Sequence, residues 1–178
     1  MDKKCTYGPL LREYRQKHGI SLWNLAIRVP YRQGNLQRIE RGITEPRVGL
    51  AMRLLMAIGV DTGNFMLNLA INAGLRIDAG ETRTRRTEGD GIENLLPEHR
   101  QNAAYFGYLL RKTRLIYGQS QKNLAEEAGY TVRNLINVEN GRQEPGIMTA
   151  LKLVCATGCD VAWFFNELTE YYALEHVK

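Results

Sequence analysis

The feature that most constrains this chain is a long internal repeat. Residues 21–42, SLWNLAIRVPYRQGNLQRIERG, recur as residues 120–141, SQKNLAEEAGYTVRNLINVENG, at an offset of 99 positions without a gap. Residues 7–69 and 106–168 are identical at 24 of 63 aligned positions. Self-similarity on this scale indicates two copies of one structural unit. We therefore expect the chain to form the same small fold twice.

The spacing of apolar residues within each copy predicts short helices. Leu10, Leu11 and Tyr14 fall on one helical face, and Gly19 and Pro30 end the first two helices. Leu36 and Ile39 of the third helix are expected to point inward. The predicted helix starts are Ser21 and Asp61 as caps of the second and fifth helices, Pro46 as the opening of the fourth, and a helix of the second copy beginning near Pro97. No segment alternates apolar and polar residues with a period of two, so we expect no sheet. Five short helices around one core are predicted for each copy, which gives an all-α fold.

Composition places a connection between the copies. Residues 76–94, RIDAGETRTRRTEGDGIEN, are rich in glycine, threonine and charge and have almost no apolar side chains. Such a segment is predicted to be a flexible coil with an average span of about 22–26 Å. The predicted organisation is an N-terminal domain at residues 1–75, a linker at residues 76–96 and a C-terminal domain at residues 97–178.

The charge of the chain is divided unequally between the copies. The chain has 178 residues and a net charge of +5, and residues 1–70 alone carry +6, whereas residues 101–178 are neutral. A basic domain attracts polyanions such as nucleic acid, although a solvated basic face is the alternative interpretation. No apolar run is long enough for a membrane helix, and the N-terminus lacks the apolar core of a secretory signal. We therefore expect a soluble cytoplasmic protein without a membrane partner.

The cysteines favour core packing over metal binding or disulfides. The chain has three, Cys5, Cys155 and Cys159, and the last two are spaced i,i+4 on a predicted helix. Their counterparts in the first copy are Met56 and Val60, which are apolar. With no credible ligand set, nucleophile–base set or glycine-rich phosphate loop, we expect no metal, no cofactor and no enzymatic activity.

The ordered motifs of each copy resemble the Cro/lambda-repressor-like (XRE-type) helix-turn-helix domain. In the first copy the motif residues are Leu25-Ala26, Leu36, Ile39-Glu40-Arg41-Gly42 and Pro46. In the second copy they are Gln121, residues 124–130, Val138-Glu139-Asn140-Gly141 and Glu144-Pro145. The resemblance covers about 63 residues in each half and implies two tandem five-helix lambda-repressor-like DNA-binding domains.

The resemblance also implies which residues contact a double-stranded DNA operator. The third helix of each copy, residues 32–41 and 131–140, is expected to lie in the major groove, whose width matches that of a helix. The implied base-reading residues are Arg32, Gln33, Gln37 and Arg38 in the first copy and Thr131, Val132, Arg133 and Asn137 in the second. The implied phosphate contacts are Arg28, Asn35, Arg41, Arg47, Gln121 and Asn134.

The family commonly pairs an arginine of its first helix with the glutamate that ends its third. In this sequence the pairs are Arg15 with Glu40 and Arg114 with Glu139. Because both copies keep both residues, we interpret the pairs as structural salt bridges rather than DNA contacts.

The sequence departs from the family pattern in ways that leave the second copy undecided. Pro30 replaces the usual glycine between helices two and three of the first copy, and Gly34 lies inside its reading helix. The second copy keeps the glycine, but Glu126 and Glu127 weaken its attraction for phosphate. The leading hypothesis is a sequence-specific DNA-binding repressor associated with the nucleoid. The alternative is a protein-interaction regulator, of the antitoxin or anti-activator type, whose C-terminal copy binds a protein.

The end of the second copy is rich in aromatic residues. Two interpretations stay open for this region. It caps the core of the C-terminal domain, or it forms an interdomain or homodimer surface, since aromatic residues are enriched at interfaces. The residues concerned are Trp163, Phe164, Phe165, Tyr171 and Tyr172.

Overall fold

The computed structural model describes residues 6–77 and 102–175. These two ranges, the first half and the second half below, contain ten α-helices. The helices are α1 (Tyr7–Lys17), α2 (Leu22–Arg28), α3 (Gln33–Glu40), α4 (Val48–Ile58), α5 (Thr62–Asn72), α6 (Asn102–Ile116), α7 (Gln121–Glu127), α8 (Val132–Glu139), α9 (Ile147–Thr157) and α10 (Val161–Glu175).

The described residues contain no strand, and this confirms the all-α prediction for them. An isolated antiparallel bridge between Arg47 and Gly146 is the one sheet-like contact in these ranges. The predicted linker from residue 78 onward and the predicted helix start near Pro97 lie outside the described residues.

Several helix starts predicted from sequence are confirmed by their capping bonds. Ser21 caps α2 by accepting a hydrogen bond from the backbone of Asn24 at 3.0 Å. Asp61 caps α5 in the same way. The fourth helix, however, begins at Val48 rather than at Pro46. Pro46 instead lies in the segment that pairs with the second half, where its carbonyl accepts a hydrogen bond.

Glycine permits a close helix crossing in each half. A Cβ atom at Gly8 of α1 would lie 1.8 Å from the carbonyl oxygen of Ile39, near the end of α3. A Cβ atom at the equivalent Gly107 would lie 1.9 Å from the carbonyl oxygen of Val138. Any side chain at these positions would push the third helix away from the first helix of its half. Glycine is therefore required at the same place in both copies.

The two halves pack directly on each other, whereas the sequence predicts a flexible connection and leaves an interdomain surface at the aromatic end as one of two alternatives. Helix α5 lies against α10, and α4 contacts both α9 and α10. The buried apolar residues of both halves belong to one continuous core cluster. The relative position of the halves is therefore set by a packed interface and not by the reach of a linker alone.

Backbone hydrogen bonds cross this interface reciprocally. The amide of Val48, the first residue of α4, donates to the carbonyl of Pro145 at 3.2 Å. The amide of Ile147, the first residue of α9, donates to the carbonyl of Pro46 at 2.9 Å. At the repeat offset of 99 residues, each bond is the equivalent of the other.

Two glutamates cap the same helices, again across the interface. Glu45 Oε1 accepts from the amide of Met148 at 2.8 Å, and Glu144 Oε1 accepts from the amide of Gly49 at 2.6 Å. These amides belong to the second residues of α9 and α4, whose first-turn donors have no partner within the helix. Each half therefore supplies the carboxylate that caps a helix of the other half.

The aromatic end of the second copy serves both its own core and the interface. Phe164 is buried edge-on against Phe106 of α6, with ring centroids 5.8 Å apart. Tyr171 stacks on Tyr105 with centroids 3.5 Å apart. Tyr172 is also buried, and its hydroxyl lies next to Gly49 of the first half. Core capping and interdomain contact, offered as alternatives by the sequence, therefore occur together.

The reciprocal caps make a testable contribution to stability. Replacing both Glu45 and Glu144 by Ala should lower the free energy of unfolding by about 0.5–2 kcal/mol for each cap lost. The measurement is urea denaturation of the full chain at neutral pH. Glu126→Ala is the matched control, because Glu126 forms only an exposed contact with Lys122 at 4.0 Å. A double variant no less stable than the control would contradict the capping role.

Candidate nucleic-acid interface

Helices α2 and α3 form a tight helix-turn-helix in the first half. Leu25 of α2 is fully buried, and Leu36 and Ile39 of α3 are each 1% exposed. These apolar residues hold one side of α3 against the core. The opposite side of α3 is therefore left open to solvent.

The exposed side of α3 carries the residues expected to read bases. Arg32 precedes the helix as its N-terminal cap residue, and the others follow within its first two turns. Because residues three and four apart are neighbours on a helix, this set shares one continuous polar face. All four implied base-reading residues are exposed, namely Arg32, Gln33, Gln37 and Arg38, and so is Asn35, for which a phosphate contact is implied.

The arginines expected to contact phosphates have different surroundings. Arg28 donates from Nη1 to the carbonyl of Ala57 at 2.8 Å. Arg47 donates to the carbonyl of Glu144, so its guanidinium lies at the contact between the halves. Arg41 follows the last residue of α3 and is exposed. Of the three, Arg41 is the one that directly flanks the exposed face of α3.

The positive charge of this surface has no acidic counterpart nearby in sequence. Residues 14–44 contain one acidic residue, Glu40, which is 6% exposed and bound to Arg15. The four exposed arginines of the motif are Arg28, Arg32, Arg38 and Arg41. Uncompensated charge of one sign on one surface attracts a polyanion and accelerates its association.

Buried ion pairs fix the third helix to the first helix in both halves. Arg15 donates from Nε and Nη2 to Glu40 at 2.5 and 2.9 Å, and from Nη1 to the carbonyl of Ile20 at 2.6 Å. The bond to Glu40 raises the pKa of Arg15. Arg114 binds Glu139 in the same bidentate way, at 2.6 and 3.0 Å. These contacts are internal to each half, as the scaffold interpretation expects.

The corresponding face of the second half is smaller and less basic. Thr131, Val132 and Arg133 are exposed at the start of α8, whereas Asn134 and Asn137 are half-buried. The hydroxyl of Thr131 accepts from the amide of Asn134 at 3.3 Å and so caps α8. The Thr131 hydroxyl acts as an acceptor in this bond, so its own hydrogen can still be donated to another group.

Gln121 does not reach outward from the second half. Its amide nitrogen donates to Glu139 Oε2 at 2.7 Å, which adds a third partner to the buried ion pair. In the first half Leu22 takes the equivalent position and offers no such bond. The structure therefore gives Gln121 an internal contact, and the phosphate contact implied for it stays a prediction.

Of the two cysteines of the second half, Cys155 is half-buried and Cys159 is buried. Burial raises the pKa of Cys155 to about 11 and that of Cys159 to about 12, so both stay thiols at neutral pH. Within residues 6–77 and 102–175, no group of three histidine, cysteine or acidic side chains is placed to hold a metal.

No single helix in these two ranges has the length and apolarity to cross a membrane. Helices α4 and α5 meet both criteria only when they are taken together, and they are bent by 119° relative to each other.

Sequence reasoning did not identify the glutamates that cap helices across the interface or the glycines at the helix crossing within each half. Glu45 and Glu144 were visible only as members of the Glu-Pro motif that both copies share. Gly8 and Gly107 were visible only as an identity within the repeat. Identity between copies marks such positions as important, but it does not say what they touch.

The comparison with protein families supports the motif in the second half. Residues 110–164 match a family model described as helix-turn-helix. The match supports a helix-turn-helix in the second half, a motif typical of DNA-binding regulators. The first copy lies outside the matched residues. No curated protein and no solved structure matches the chain.

The buried ion pair of Arg15 and Glu40 predicts that removing one of its charges destabilises the chain more than removing both. Arg15→Met should cost about 3–5 kcal/mol of stability, because it leaves the Glu40 carboxylate buried without its partner. The double variant Arg15→Met/Glu40→Leu should recover most of that loss, because it removes both charges. Urea denaturation measures both. A double variant as unstable as the single one would contradict the pairing as the source of the effect.

Proposed function

We propose that this chain is a sequence-specific regulator of transcription that binds double-stranded DNA, acts as a repressor and has no enzymatic activity. The observation that carries the proposal is the exposed arginine and glutamine face of α3, together with the burial of Glu40, the one acidic residue among residues 14–44, in an ion pair. The helix-turn-helix match in the second half supports the same class of function.

Each part of this surface has a role in DNA recognition. In the major groove, Arg32 and Arg38 suit the O6 and N7 acceptors of guanine, and Gln33 and Gln37 suit the N6 and N7 atoms of adenine. Arg41, at the end of the helix, suits a backbone phosphate, which positions the protein without specifying sequence. Gly34 has no atom within 4 Å of where its Cβ would lie. The backbone there is accessible to an approaching duplex.

We propose that the two halves are tandem lambda-repressor-like domains and that both read DNA. Helix α3 then reads one half-site, and residues 131–140 around α8 read an adjacent one. The equivalence of the ion pairs, the glycine crossings and the caps supports two copies of one domain. As a regulator of this kind, the protein would act in the cytoplasm at the nucleoid.

A protein-binding role for the second half is the alternative, and one observation favours it. Trp163 of α10 is 40% exposed, while its aromatic neighbours Phe164 and Phe165 are fully buried. An exposed tryptophan suits a contact with a protein partner or with a second copy of the chain. In this alternative the second half is an antitoxin-like or anti-activator-like module, and α3 alone reads DNA.

Two variants test the DNA-reading assignment of α3. Arg38→Ala should relax sequence preference and cost about 1–3 kcal/mol of binding free energy at one base pair. Arg41→Ala should weaken binding to all duplexes alike and reduce the slope of log K against log salt concentration by about 1. The measurement is fluorescence anisotropy of the full chain with a duplex selected from a random pool, across a salt series.

Lys17→Ala is the matched control for these variants. It also removes one positive charge, but that charge is already paired with Glu13 at 2.7 Å. We expect it to bind the selected duplex like the unaltered chain. If Arg38→Ala and Arg41→Ala both bound like this control, α3 would not be the reading helix.

A further inference from the structure

The bonds between the halves are reciprocal, and this determines the symmetry that relates them. The amide of Val48 bonds to Pro145 of the second half, and the amide of its equivalent, Ile147, bonds to Pro46, the equivalent of Pro145, in the first half. The two capping glutamates exchange hydrogen bonds between the halves in the same reciprocal way. A contact in which the same surface patch is used on both sides is isologous and implies a two-fold rotation. A head-to-tail arrangement would use different patches. Helices α3 and α8 are therefore related by an approximate two-fold axis.

One chain already occupies both sides of this interface. Gly63 of α5 donates its amide to Asn166 Oδ1 of α10 at 2.8 Å. A Cβ atom at Gly63 would lie 2.5 Å from the carbonyl oxygen of Ala162, so the two helices are in close contact. Among the described residues, the surfaces that form this pairing are thus taken up within a single chain. A second copy is not needed to complete it.

The two reading faces that this axis relates are chemically different. The exposed start of α3 presents Arg32 and Gln33, which are long hydrogen-bonding side chains. The equivalent residues before and in α8 are Thr131 and Val132. Arginine and glutamine favour the acceptor-rich edges of guanine and adenine, whereas threonine and valine suit contact with the thymine methyl group. The two faces therefore select different base sequences.

We propose that a single copy of this chain is the complete DNA-binding unit and that it binds an inverted repeat with two unequal half-sites. The inference rests on the proposed function of α3 and α8 as reading helices. A two-fold pair of helices placed in successive major grooves meets the two strands in opposite directions. The half-sites are consequently inverted rather than direct, with centres about 34 Å apart.

Selection from random DNA tests this arrangement with the full chain. The probe is a pool of duplexes with a random central segment of about three helical turns (~30 base pairs). We expect the enriched sequences to contain two different motifs in inverted orientation at one fixed spacing. Native mass spectrometry of the complex should show one chain per duplex. Direct repeats, or a perfect palindrome bound by two chains, would overturn the proposal.

Variants of the two reading faces sharpen the test. Arg38→Ala should randomise positions in one motif and leave the other intact, and Asn137→Ala should do the reverse. If either variant altered both motifs equally, each half-site would be read by both halves, as in a homodimer, and the proposal would fail. Enrichment of a single motif would overturn this proposal but leave DNA binding by α3 standing. No enrichment at all would overturn both.

A variant of the interface tests whether the two-fold pairing sets the spacing. Gly63→Leu places a side chain between α5 and α10, and should broaden the range of spacings selected while keeping the two motifs. Asn64→Leu is the matched control, because Asn64 is the next residue of α5 and is exposed. A Gly63→Leu chain that folds, by circular dichroism, and keeps the single spacing would count against the role of the pairing.

Discussion

The structure depends on how the backbone amides in the first turns of α4 and α9 find hydrogen-bond acceptors. The leading amides of a helix have no partner within it, and they must find one elsewhere when they are buried. Here Pro145 and Glu144 of the second half receive the first two amides of α4, and the equivalent residues of the first half do the same for α9. Neither helix start is complete without the other half, so the two halves hold each other in one relative orientation.

A rigid scaffold follows from this constraint and places α3 and α8. Within each half, a bidentate arginine–glutamate pair and a glycine crossing fix the third helix to the first helix of that half. Between the halves, the reciprocal caps and the packing of α5 on α10 fix α3 relative to α8. The orientation of the exposed side chains of α3 is therefore determined by buried interactions.

The sequence was sufficient to predict helix caps and core positions within each half, but not the hydrogen bonds that join the two halves. The caps by Ser21 and Asp61 depend on residues close in sequence, and the apolar spacing places Leu36 and Ile39 inward. The interface depends on contacts 95 or more residues apart, such as that of Glu144 with Gly49. A repeat shows that two segments are alike and does not show that they touch. Composition predicted a flexible connection for the same reason, since the composition of residues 76–94 carries no information on the surfaces of the two halves.

Amide hydrogen exchange followed by NMR tests the central claim most directly. Gly49 and Met148 are the second residues of α4 and α9, and the account predicts that their amides are protected to a degree near that of the buried helices. Trp23 is the second residue of α2 and is exposed, so its amide gives the rate for a helix start without a partner across the interface. If Gly49 and Met148 exchanged as fast as Trp23, the two halves would not hold each other in solution.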